Sequence, residues 1–99
     1  MIALETVTHE TFCQLTGGTF VTDYAGARVE LRLVVVQTLG HRREEALREP
    51  FSLTLRGVKG LRLPQGIYHF ACEPLGELEI FITQQADVAE GSEFEAIFT

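Results

Sequence analysis

Lysine is almost missing from this chain, cysteine occurs twice, and no long apolar run occurs; each scarcity removes a class of function. Lys59 is the one lysine and the formal charge is −6, whereas counterion release from phosphates needs clustered Lys and Arg, so nucleic acid is not expected as a partner. Cys13 and Cys72 are too few and too far apart for a zinc site. They read as two small buried hydrophobes held as thiols, since a disulfide would need their Cα atoms within about 7 Å, which spacing alone does not establish. No stretch approaches the roughly 20 apolar residues of a membrane helix, so no membrane partner is expected. Residues 1–8 lack a basic stretch followed by an apolar one, and a cytoplasmic location is the expectation.

What the chain has is alternation. Its 99 residues allow one domain, 1–99, with a single core, and 45 % hydrophobic against 22 % charged residues is too apolar for disorder. In 51–56 and 77–83 apolar and polar residues alternate, and a period of two buries one face of each strand. Residues 8–15 predict a short helix: Thr8 caps the first amides, Glu10 sits at the positive end, Gly17 and Gly18 stop it, and Val7 can staple onto Phe12. Phe12 and Leu15 form a narrow apolar edge that must lie across an open end of the sheet as a lid.

Residues 19–24 predict the first strand, with a tight turn at Ala25 and Gly26 into a long run over 27–39. There Val29, Leu31, Leu33 and Val35 share one face; Val34 and Val36 should emerge with Glu30 and Arg32 on the other, unless a bulge shifts the phase. Residues 40–49 are charge-dense and read as a solvated loop, because Glu44, Glu45 and Glu49 offset Arg42, Arg43 and Arg48. A Glu44–Arg48 pair there would contribute only about 0.3–0.5 kcal/mol.

Phe51, Leu53 and Leu55 then face inward with Ser52, Thr54 and Arg56 outside. Pro64 and Gly66 mark a turn before a strand over 67–72 that buries Tyr68, Phe70 and Cys72 and presents His69 outward. The strands over 77–84 and 93–99 bury Leu78, Ile80, Ile82 and Phe94, Ala96, Phe98. The expected fold is mainly β: a six-stranded antiparallel meander forming a small, partly open barrel, or a two-layer sandwich, with one short N-terminal helix.

The stretch Arg48-Glu-Pro-Phe-Ser-Leu-Thr-Leu-Arg-Gly57, then Leu63-Pro-Gln-Gly-Ile-Tyr68, Leu75-Gly-Glu-Leu-Glu-Ile-Phe81 and Phe94-Glu-Ala-Ile-Phe98, resembles a family of small bacterial β-rich domains of unknown function associated with phage-tail-collar-like surface proteins. The resemblance implies an accessory or assembly role and supplies no catalytic residue. It also implies polar residues at the positions of His69 and Ala71, from which Ala71 departs.

The bases open to nucleophilic catalysis are His9, His41 and His69, none in a recognised motif. His9 and Cys13 share a helical spacing of four, but nothing in the sequence supplies an orienting carboxylate or an oxyanion site. Glu77 and Glu79 lie on an outer strand face without the burial that raises a catalytic acid's pKa, and Gly57, Gly60 and Gly66 have the wrong spacing for a phosphate loop. No catalytic residue, cofactor or metal is therefore assigned. Val34, Val36, Phe81 and Ile97 are apolar on the predicted outside and are the candidate protein-interface residues. The expectation is a non-enzymatic interaction or assembly domain that binds a protein partner or itself. Its rival is a small apolar-ligand-binding barrel gated by the helix around Phe12.

Overall fold

The computed structural model describes residues 8–40, 50–73 and 75–98. One helix, α1 (His9–Cys13), precedes six strands: β1 (Thr19–Tyr24), β2 (Ala27–Thr38), β3 (Phe51–Gly57), β4 (Gly66–Cys72), β5 (Gly76–Gln84) and β6 (Ser92–Phe98). All neighbouring strands are antiparallel, and they close into a barrel in the order β1-β2-β3-β6-β5-β4. Two three-stranded meanders thus meet at two seams, and residues 58–65 carry the chain past β6 and β5 to reach β4. The barrel is closed where partial opening was expected, because β1 pairs with β4 through Val21↔Ala71.

Local sequence sets the turns and the register. Ala25 (φ 52°) and Gly26 (φ 80°) both take positive φ, the two-residue hairpin conformation whose twist matches the strands it joins. Along β2 the register with β3 slips between Leu33↔Leu55 and Val35↔Thr54, which is a β-bulge at Val34. The extra residue reverses the parity of everything after it. Val36, opposite Leu53, turns inward and packs against the core, while Val35 turns outward and is 44 % exposed.

The core is the barrel interior. Leu31, Leu33, Leu53, Leu55, Leu78 and Phe94 are wholly buried, as the alternation requires. Thr22, the polar side chain that β1 points inward beside Phe20, is satisfied by donating its hydroxyl to the His69 carbonyl at 2.6 Å. Beyond the bulge, Ser52 and Tyr68 also depart from expectation. Ser52 is 6 % exposed although its parity is outward, a small side chain between the longer Gln37 and Ile97 of the flanking strands. Tyr68 is only half-buried, because its hydroxyl reaches the Pro64 carbonyl at 2.6 Å near the barrel mouth.

Each mouth is closed by chain. At one, Thr8 caps α1 by accepting from the Thr11 amide, and Thr11 accepts in return from the Thr8 amide. Phe12 is fully buried with its ring 5.8 Å from Phe51, 5.4 Å from Phe98 and 6.3 Å from Phe20. The helix is therefore the plug its apolar edge predicts; the Val7 staple lies outside the described residues. At the opposite mouth residues 58–65 fold over the strand ends with Leu63 buried and Leu61 half-buried. Gln84 fixes this segment as a strand would, accepting from the Leu63 amide at 3.0 Å and donating to the Leu61 carbonyl at 2.8 Å.

Candidate interaction surface

Side chains that cannot enter the barrel must face outward, and the register decides which of them meet. Ile67 pairs with Phe81 across β4 and β5. The β5–β6 ladder comprises Thr83↔Glu95 and Gln84↔Phe94, so Phe81 and Ile97 each lie two residues beyond its last pair, on neighbouring strands. Ile97 pairs with Ser52 on β3. An apolar row thus crosses three neighbouring strands, with Ile67 69 %, Phe81 52 % and Ile97 59 % exposed. At about 4.8 Å between strands the row is about 10 Å long.

Of the four residues expected at an interface, Phe81 and Ile97 are exposed on the neighbouring strands β5 and β6, whereas Val34 and Val36 lie on β2. Val36 is half-buried and packs inward against the core, which corrects its outward placement, while Val34 is half-buried at the bulge. Ile67 was missed, though its signal was present: it shares parity with His69, which the sequence placed outside.

Charge flanks the row on both sides. Glu79 precedes Phe81 by two residues on β5, and Glu95 precedes Ile97 by two on β6; because the strands are antiparallel, these displacements are opposite. One carboxylate therefore stands on either side, each about 7 Å from the row. Glu79 is exposed and Glu95 half-exposed, and neither has an ion-pair partner among the described residues.

The histidines that could serve chemistry lie apart. His9 Nε2 is 3.4 Å from Cys13 Sγ across one helical turn, and its ring stands edge-on to Phe51 at 6.2 Å. No ion pair of this imidazole with a carboxylate is found among the described residues. His69 Nε2 meets Glu77 Oε1 at 2.5 Å on the open outer surface. His41 and the arginines at 42, 43 and 48, with the Glu44–Arg48 pair, lie outside the described residues. Among those described, no three His, Cys, Asp or Glu side chains are grouped to hold a metal ion. Both cysteines are free; Cys13 is exposed, and burial pushes the Cys72 thiol pKa up, which keeps it protonated.

Two surface grooves carry mixed charge. One, of about 560 Å³, lies over the β1–β4 seam between Val21, Ala71 and Cys72, with Arg28 and Glu30 joined at 3.1 Å on its wall. The other, of about 360 Å³, runs from Thr19 past Arg32 and Arg56 to Glu90. Arg32 and Arg56 are cross-strand neighbours, a repulsive arrangement relieved by Glu93, which accepts from Arg56 Nε at 3.0 Å and Nη2 at 2.7 Å. Because carboxylates share both grooves with the arginines, neither concentrates positive charge for an anion.

The fold and surface define a small closed antiparallel barrel domain with a plugged interior and an apolar outer row. The chain matches the model of a family described as a domain of unknown function (DUF6916) over residues 7–98, and it belongs to that family. No match was found among curated proteins or solved structures.

Proposed function

We propose that this domain is a non-enzymatic protein-interaction or assembly module that docks through the outer row of Ile67, Phe81 and Ile97. The observation that carries the reading is the exposure of these three large apolar side chains on three adjacent strands, with Ile67 and Phe81 directly paired. Leaving them in water costs roughly 1.5–3 kcal/mol each relative to burial, so covering the row by a partner is favourable. The setting we propose is assembly of a phage-tail-like or surface structure, in the cytoplasm; its support is the sequence resemblance, and the family match adds no link to tails.

The rival reading, an apolar ligand inside the barrel, has less support. Phe12, Phe20, Phe51, Phe70, Phe94 and Phe98 occupy the interior, and both mouths are covered by chain. The test is Phe81→Asp, compared with wild type by light scattering, crosslinking and pull-down from the host. The expected variant folds with an unchanged circular dichroism spectrum and loses the association. A wild-type chain that is strictly monomeric and retains nothing would remove the reading.

A further inference from the structure

The two glutamates beside the row narrow the kind of partner, given the docking role proposed above. We propose that the occupant of the Ile67–Phe81–Ile97 row is an amphipathic helix of a partner protein, with an apolar stripe flanked by Lys or Arg that meet Glu79 and Glu95.

Geometry favours a helix laid across the strands. Its residues at i, i+3 or i+4, and i+7 rise over about 10 Å, the length of the row. A helix lying this way presents its flanks to the two sides of the row, where Glu79 and Glu95 stand. Charge complementarity then selects the sign. No arginine or lysine among the described residues occupies the row or the positions beside it, Thr83, Glu95 and Thr54 on one side and His69 and Glu79 on the other. Of these, His69 is engaged by Glu77. A second copy of the chain would bring the same carboxylates face to face, on molecules each carrying a formal charge of −6, so self-docking is disfavoured.

The probe is a synthetic helix about four turns long with a leucine stripe flanked by lysine, titrated into the isotope-labelled full chain and followed by amide shifts; the control carries glutamate in place of lysine. The expected result is that the lysine peptide perturbs the amides of Ile67, Phe81, Ile97, Glu79 and Glu95, and the glutamate peptide does so at least tenfold more weakly. Glu79→Gln and Glu95→Gln should each weaken the lysine peptide about two- to five-fold and reduce its salt dependence. Equal binding of both peptides at the row would overturn the basic partner and leave the docking surface standing. Concentration-dependent dimerisation abolished by Phe81→Asp, with no peptide binding, would overturn it in favour of a second copy. Neither binding nor dimerisation would remove the helix proposal and the docking role together.

Discussion

The hydroxyl of Thr22 donates to the carbonyl of His69 at 2.6 Å, across the seam where β1 meets β4 through Val21↔Ala71. A side chain thus reinforces barrel closure where the backbone ladder is shortest. Thr22→Val keeps the shape but removes this donor to the part-buried carbonyl. The expected loss is about 1–3 kcal/mol in urea unfolding, with Thr22→Ser retaining most of the stability. Hydrogen exchange should accelerate first in β1 and β4; an unchanged unfolding midpoint in Thr22→Val would refute the role.

That seam also marks the limit of what the sequence made legible. Parity places Leu53, Leu55, Leu78, Ile80 and Phe94 inside because period two is a local property, written in adjacent residues. Closure is not local. Nothing in residues 19–24 or 66–72 specifies that these strands meet, so a partly open meander read as well as the closed order found. The bulge is intermediate: three consecutive valines at 34–36 flag a break in phase without fixing which valine is extra. Val36 left the outer face at that step, since one inserted residue exchanges the roles of Val35 and Val36. Phe81 and Ile97 face outward as expected because no bulge intervenes in β5 or β6, whereas the meeting of their two strands follows from the strand order alone.

Gly91 and Gly26 separate steric need from backbone strain. A Cβ on Gly91 (φ 153°) would lie 2.2 Å from the Gly57 carbonyl oxygen, where the start of β6 crosses the end of β3. One on Gly26 (φ 80°) would meet nothing within 4 Å. Gly26→Ala should therefore cost about 1–2 kcal/mol, the backbone term alone. Gly91→Ala must also displace backbone and should cost more than about 4 kcal/mol or prevent folding. Thermal melts of the two variants compare them directly, and equal melting temperatures would contradict the close approach.

Phe12 tests whether the plug belongs to the core. Its ring fills the mouth between Phe20, Phe51 and Phe98, and Phe51 and Phe98 stack on one another at 4.8 Å with their planes 4° apart. Phe12→Ala removes the central ring of this cluster, with an expected loss of about 3–5 kcal/mol. Phe12→Leu, which still fills much of the space, should recover a large part. A loss below about 1 kcal/mol in Phe12→Ala would mean that the helix rests on the barrel without contributing to its stability.

At the other mouth the Arg62–Asp87 pair ties residues 58–65 to the turn before β6. Arg62 Nη2 donates to Asp87 Oδ2 at 2.8 Å and Nη1 donates to Oδ1 at 3.1 Å. These hydrogen bonds hold the Asp87 pKa below the usual carboxylate value, and the same contact raises that of Arg62. A carboxylate with a depressed folded-state pKa stabilises the fold above its unfolded pKa of about 3.9, and the contribution is lost as pH falls through the lower folded value. Stability should therefore decline on acidification below about pH 5, less steeply in Asp87→Asn, because that variant no longer titrates there. Salt should weaken the wild-type contribution, since the pair is exposed to solvent. Unfolding midpoints of wild type and Asp87→Asn measured from neutral pH down to about pH 3 provide the comparison; parallel pH profiles for the two proteins would show that this pair does not govern the acid limb.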